Sequence, residues 1–512
     1  MGLFEHWPYT NFHDLNLDWI ISKIKEFGAD LKQLADEIDA FQPEMQEYVN
    51  NWLNEHPEAT TTVEDGSLTE SKFSTALRLL TLKDYVTPEM FGAVGDGITD
   101  DSDALIDMFE SINTGGCAVI PDKTYAISKP VNVYSNTDIV GLGKASIKVL
   151  RTGSDFMRIS LSLGEYGVSE FTGYDGVHDV NIFNIIFDCG DDGRFASTGH
   201  GGGNIGLSHC RNILLSGCYF KNQINDHYID VAGSKDVLIE NCIFDEIRNT
   251  GIDAYEAVNI DWSSAEGFPH FGTADNTACF KVDIRGCQFY NQINNALPIG
   301  SHYYPAGAAH HQNISITNCL FNKCSYAVKM IHCDKFSFTN NKVDDCGYFS
   351  ASQAGNIDMF ALLLENVNDI VINNNIFSDL INGGVKVQNG GGSDVTYVRH
   401  CEIKNNIFEN ICSNPATAGN IGLRLRYIEN VSVFGNIIQN GNNLTANVSY
   451  AKNLDFCNNI NIASINYHLR FENIENGNVL WNRSNSSLAY DFSGTNSNVI
   501  KQLNAETTIT AV

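Results

Sequence analysis

At 512 residues, 43% hydrophobic and 11% aromatic, the chain is too long for one ordinary compact core and too apolar for wholesale disorder. Its 32 Lys and Arg against 61 Asp and Glu give a formal charge of -29, which argues against nucleic acid or an anionic membrane as a partner. No run of 18 apolar residues is available for membrane insertion, and the 14 Cys show neither paired CxxC spacing nor the density of a disulfide scaffold. No metal or cofactor is expected.

The first ten residues lack the basic and apolar regions of a secretory signal. From Leu17 the apolar positions run Ile20, Ile24, Phe27, Leu31, Leu34, Ile38, Phe41, Met45, Tyr48 and Trp52, in steps that alternate three and four. Such a heptad seam needs partner helices to bury it. Residues 1–57 are therefore read as an N-terminal α-helical coiled-coil stalk; an amphipathic helix folded back on its own domain is the plainer alternative. Residues 58–84 form a linker or collar. Within it, Val63-Glu64-Asp65-Gly66-Ser67-Leu68-Thr69 resembles a linker common in phage tail fibres and spikes.

Tyr85-Val86-Thr87-Pro88-Glu89-Met90-Phe91-Gly92-Ala93-Val94-Gly95-Asp96-Gly97-Ile98-Thr99-Asp100-Asp101 resembles the opening motif of the pectate-lyase-like superfamily, which includes bacteriophage tailspikes and appendages. The resemblance implies a short helix, supplied by Asp103 to Ile112, then strands at Gly115–Pro121 and Thr124–Ile127. It also implies that Asp96, Asp100 and Asp101 seat the first turn of the fold rather than do chemistry.

Downstream a phrase recurs: two apolar residues at alternate positions, a corner Asn or Gly, and an apolar residue that is often Phe. It starts at Val180, Ile213, Val237, Val282, Ile314, Phe336, Ile370, Cys401 and Val431, and more faintly at Leu454. Alternation says strand. The irregular steps of 22 to 45 residues suit solenoid coils with side loops of different length. The corner residues Asn184, Gly217, Asn241, Gly286, Asn318, Asn340, Asn374, Asn405 and Gly435 are expected to stack, with amides bonded along the axis. The fold class is thus all-β: a right-handed single-stranded parallel β-helix over residues 85–475 behind the stalk. By resemblance it is a homotrimer. Residues 476–512 are read as a C-terminal β cap or inter-subunit segment.

Outward positions on one strand of successive coils form a ladder at ~4.8 Å spacing. Reading parity on the strand before each phrase places Asp230, Asp261, His302, Lys329, Glu365, Lys386 and Arg424 on one face. Ile252-Asp253 competes with Val258-Asn259 for one strand slot. Glu256-Ala257-Val258-Asn259-Ile260-Asp261, Ile299-Gly300-Ser301-His302 and His310-His311-Gln312-Asn313-Ile314 resemble an arrangement in Gram-positive bacterial and phage β-helix proteins, which implies a carbohydrate-active face.

Glycoside cleavage needs two carboxyl groups, one protonated and one ionised. The candidates are Asp261 with Asp230, Asp253 or Glu256 as partner, and His302 to orient or share the proton. Lys329, Glu365, Lys386, Arg424, Trp262 and His310 are candidate substrate-binding residues. A lyase would use His302, Lys329 or Arg424 beside a uronate. A non-catalytic receptor-binding spike would use the same groove with aromatic rings. The expected setting is the virion tail or appendage, assembled in the host cytoplasm, docked through the N-terminus on a tail or collar protein and facing a bacterial surface polysaccharide.

Overall fold

The computed structural model describes residues 85–150, 159–163, 170–190, 204–248, 255–265, 272–294, 296–301, 303–347, 360–389, 397–412, 421–440, 444–462, 468–484 and 489–502. All of them fall in the second of two units, Leu77–Val512. The predicted stalk at 1–57, the linker at 58–84, and candidates Asp253 and His302 lie outside the described residues.

The opening motif behaves as its composition requires. Asp101 accepts the amide hydrogens of Val94 and Gly95 at 2.7 and 3.1 Å. Asp96 accepts those of Ile98 and Thr99 at 2.8 and 2.7 Å, closing the tight turn. Asp100 accepts both the amide and the hydroxyl of Ser102 at the start of the helix Ser102–Ser111. All three carboxylates are thereby engaged in local structure. The helix buries Leu105, Met108 and Phe109 against the first coil.

Beyond it every pairing between strands is parallel, and the strands stack in three ladders that each gain about one strand per coil. Face A runs from Val131–Asn132 through Ile229–Ala232, Tyr255–Asp261 and Ala296–Gly300 to Ala489–Ser493. Face B runs from Gly116–Ile120 through Lys235–Glu240 to Ser497–Gln502. Face C is a 14-stranded sheet from Asp96–Asp100 to Arg483–Ser484. In later coils one strand, such as Ile421–Phe434, passes from face A into face B through a single corner residue.

The repeated phrase is face B plus its corner. Val180, Ile213, Val237, Val282, Ile314, Phe336, Ile370, Cys401, Val431 and Leu454 stand opposite one another without a slip. Their side chains point into one shared core. On face C, Phe187, Phe220, Phe244, Phe289 and Phe321 stack with ring centroids 4.8–5.0 Å apart.

The asparagine ladder sits one residue beyond the predicted position. The predicted corner residues take positive φ, as in Asn340 at 57° and Asn405 at 55°, because Asn tolerates the left-handed conformation that turns the chain. The axial bonds belong to the next residue, Asn341, Asn375, Asn406, Asn436, Asn459 and Asn482, all buried. Asn375 donates to Asn406 Oδ1 at 2.9 Å and to the carbonyl of Phe338 at 2.8 Å. The pattern repeats at Asn406, Asn436 and Asn459. Cys218, Cys242, Cys287 and Cys319 fill the same post-corner position in earlier coils, and the Cys319 amide donates to Asn341 Oδ1 at 2.8 Å. All 14 cysteines are free and buried.

Strands continue beyond residue 475, into the segment read as a C-terminal β cap or inter-subunit segment. The strand His468–Leu480 pairs with both Ala489–Ser493 and Ser497–Gln502, so the ladders continue to Gln502. The repeat fades there because charged and small residues replace Ile and Phe on an end strand that is largely exposed.

Candidate functional site

Ile229, Val258, Ile299, Val328, Leu362, Val385 and Leu423 share one inward rung position on face A. The next residue of each strand therefore faces outward, giving the row Asp230, Asn259, Gly300, Lys329, Leu363, Lys386 and Arg424. A second outward row, two residues further along, holds Ala232 and Asp261 early and Glu365, Gln388 and Arg426 late. The predicted face is thus two rows. Asp230 stands beside Asn259, which donates to its Oδ1 at 3.0 Å, while Asp261 stands beside Ala232.

The group that joins the acidic residues is His227, which parity reading missed because it precedes the strand. Its Nε2 is 3.9 Å from Asp230 Oδ1 and its Nδ1 is 3.4 Å from Glu256 Oε2. Nδ1 also lies 2.9 Å from both the backbone nitrogen and oxygen of Glu256, and the ring meets Tyr255 edge-on at 5.9 Å. The signal in the sequence was the run Asp226-His227-Tyr228-Ile229-Asp230, with two acids flanking an imidazole at a strand start.

Glu256 lies between the core residues Tyr255 and Ala257, and so faces outward although it shares parity with Val258 and Ile260. A Cβ on Gly300 would lie 3.0 Å from Glu256 Cγ and 2.8 Å from the Lys329 carbonyl. The missing side chain at Gly300 is what leaves Glu256 its place.

The cluster is shielded. Asp230 is 6% exposed, Asp261 3% and Glu256 0%. Buried acids on an outward row are costly unless partnered, and such groups cluster at functional sites. Two loops, at residues 170–176 and 272–277, meet beside the corner residue His209. Gly173 donates its amide to Asp275 at 2.8 Å, and His209 lies between the carbonyls of Gly173 and Thr273 at 2.8 and 3.0 Å.

Trp262 does not present a stacking face. It is fully buried, its indole N–H donates to the Ala309 carbonyl at 2.7 Å, and its ring packs 3.8 Å from that of His311. Being large and apolar, it is drawn under the turn that it anchors. His310 lies at the corner between faces A and B, 3.2 Å from Asp334 and 3.4 Å from His332. Tyr304 stacks on His332 at 3.6 Å. Burial, and then the neighbouring His310, push His311 down to about 3 and His332 down to about 4.

Of the other predicted residues, Glu365 accepts from Gln388 at 2.6 Å and Lys386 is 5% exposed. The Arg424 guanidinium lies 5.6 Å from the Phe360 ring centre. Asn259 and Gly300 separate Asp230 from Lys329, Lys386 and Arg424 in the row, so the acidic and basic ends of face A are distinct. Among the described residues no group of three or more His, Cys, Asp or Glu is arranged to hold a metal, and no helix is long and apolar enough to cross a membrane.

The profile of the rhamnogalacturonase A/epimerase, pectate lyase-like family matches residues 89–349, about half of the chain. The chain belongs to that family. This pectate lyase-like chain is 26% identical over 269 residues to plasmin and fibronectin-binding protein A of Streptococcus pneumoniae, covering 48% of the chain and 36% of that protein. It is 32% identical over 138 residues to the preneck appendage protein of Bacillus phage PZA, covering 26% of the chain and 14% of that protein. The matches thus span about a third or less of these relatives' lengths. Among solved structures, the surface adhesin PfbA of S. pneumoniae superposes with a TM-score of 0.62 at 19% identity, over 78% of this chain and 91% of that one. A tailspike protein mutant of E. coli bacteriophage HK620, in complex with pentasaccharide, gives 0.53 at 12% identity, over 87% and 85%. At these identities the likeness establishes the right-handed β-helix of this pectate lyase-like chain and nothing finer.

Proposed function

We propose that this chain is a bacteriophage tailspike or appendage subunit that recognises a host surface polysaccharide along face A and cleaves its glycosidic bonds at the His227 cluster. The observation that carries the reading is His227 held between Asp230 and Glu256 under cover, on a face whose outward row runs on into Lys329, Lys386 and Arg424. Asp230 and Glu256 stand on opposite edges of the imidazole, further apart than one rung, which suits the ~6.5–9.5 Å separation of single displacement with inversion. In this reading one carboxyl donates a proton to the leaving oxygen while the other takes a proton from the water that attacks the anomeric carbon, so the glycosidic bond is exchanged for a bond to water. His227 orients both and shares the proton, and Asn259 fixes Asp230. Asp261 flanks the pair in the second row.

The phage assignment is supported by the similarity to the preneck appendage protein and by the heptad seam from Leu17 to Trp52. That seam would assemble a homotrimer through residues 1–57 and present the N-terminus to a tail or collar protein. The virion is the proposed location, with assembly in the host cytoplasm.

A non-catalytic surface adhesin is the second reading, favoured by the similarity to PfbA. Incubation with capsule or wall polysaccharide from candidate hosts, followed by mass spectrometry of released fragments, separates the two. Oligosaccharides carrying one added water support the proposal. Unsaturated products one water lighter would replace hydrolysis by β-elimination. Saturable binding without fragments would establish the adhesin.

A further inference from the structure

The corner between faces A and B follows the row Glu365, Gln388, Arg426, Ser449 and Glu472. The chain turns there in the left-handed region, and two coils use the residue best suited to it: Asn366 at φ 55° and Asn473 at φ 54°. Two coils between them use tyrosine instead, Tyr427 and Tyr450, both at φ 54°. A bulky side chain is unfavourable at this φ, and strain of this kind is kept where the surroundings or a ligand require it.

The two rings stack at 4.6 Å, and Tyr397 meets Tyr427 edge-on at 6.4 Å. The Arg426 guanidinium lies 4.9 Å from the centre of Tyr427 and 5.8 Å from that of Tyr450. It has no carboxylate partner among the described residues. Beside it in the first row stand Arg424 and Lys386. Aromatic faces accept the C–H face of a sugar ring, and an arginine held beside them offers paired N–H donors to a carboxylate.

We infer that Tyr427, Tyr450, Arg426 and Arg424 form a second saccharide subsite, which binds a uronate-bearing residue of the polymer. It rests on the reading of face A as the saccharide face and names the substrate as an acidic polysaccharide. Arg424 is six rungs from Asp230, or ~29 Å at ~4.8 Å per rung, so a chain bound at both places spans several sugars. The overall charge of -29 gives no long-range attraction for a polyanion, so the subsite relies on close contact with Arg426, Arg424 and Lys386 rather than on steering. Contact with the acidic polymer is decided by the cations at the corner.

The test uses the full chain with three polyuronates (polygalacturonate, polymannuronate and hyaluronate) and neutral dextran as probes. Affinity electrophoresis is expected to show retardation by at least one polyuronate and none by dextran. Tyr427→Asn with Tyr450→Asn, and separately Arg426→Ala, are expected to weaken that binding at least tenfold. Because Asn is the residue this corner uses elsewhere, the double tyrosine variant is expected to keep or raise the melting temperature. Binding to no polyuronate, equal binding to dextran, or variants that bind like the parent would overturn the subsite, as would a lowered melting temperature with binding intact, which would make the tyrosines structural. An Asp230→Asn control separates the two claims. Binding retained by that variant, with no cleavage even by the parent protein, sinks the catalytic reading and leaves the subsite standing. Cleavage that is abolished by Asp230→Asn and indifferent to the tyrosines does the reverse.

Discussion

His227 Nδ1 lies 3.4 Å from Glu256 Oε2, and the opposite edge of the same ring faces Asp230 at 3.9 Å, so one imidazole links carboxylates from two successive coils. Proton transfer by a positioned acid or base contributes about a hundred- to ten-thousand-fold to rate. Asp230→Asn and Glu256→Gln are each expected to lower polysaccharide cleavage within that range, with binding changed only a few-fold. His227→Ala is expected to lower cleavage comparably. Reducing-end release, measured beside a melting curve for each variant, checks this.

Gly300 is expected to tolerate no side chain. Its Cβ would stand 2.8 Å from the Lys329 carbonyl and 3.0 Å from Glu256 Cγ, so Gly300→Ala must shift the backbone or displace the carboxylate. Overpacking of this kind costs about 1–3 kcal/mol. The variant is predicted to melt lower and to lose most cleavage. Retention of full activity would show that Glu256 does not act from that position.

The asparagine ladder predicts a contrast between neighbours. Asn406→Ala removes the acceptor for two Asn375 donors and leaves the Ile372 carbonyl without its partner. Each stranded buried group costs about 1–3 kcal/mol, so a loss of about 3 kcal/mol or more is expected. Asn405→Gly keeps the left-handed corner and is expected to stay within about 1 kcal/mol. Thermal or denaturant unfolding of the pair distinguishes the two positions.

Stability is expected to fall on acidification. Burial holds His311 down to about 3 and His332 down to about 4, from ordinary values near 6.5 in the unfolded chain. Between those values the unfolded state binds more protons than the folded one, so stability rises with pH up to about 6.5 and is level above it. His311 contributes at most about 1.4 kcal/mol per pH unit across its window. Melting temperatures from pH 7 to pH 4 should decline, and His332→Asn, which supplies the residue found at the same corner in Asn366, should decline less.

What the sequence made legible was the solenoid, because the inward positions of face B carry the same apolar pattern in every coil. The phrase starts from Val180 to Leu454 are the rungs themselves. The ladder one residue past the corner was misplaced because Asn340 and Asn341, Asn374 and Asn375, and Asn405 and Asn406 are adjacent pairs with different tasks. One turns the chain and the other bonds along the axis. The site was harder to read because outward positions obey no core constraint. Alternation also shifts between the core residues Ala257 and Val258, which turns Glu256 outward, and His227 lies before the strand that parity could number. The burial of Trp262 was not legible, because an aromatic in a loop reads as surface until the turn that covers it is known.

The most direct test is the structure of the Asp230→Asn variant bound to an oligosaccharide of the glycan it recognises. The account predicts a sugar chain along face A, with a glycosidic oxygen within hydrogen-bond reach of position 230 or of Glu256. Well-defined sugar that binds away from face A, or that crosses face A without approaching His227, would contradict it.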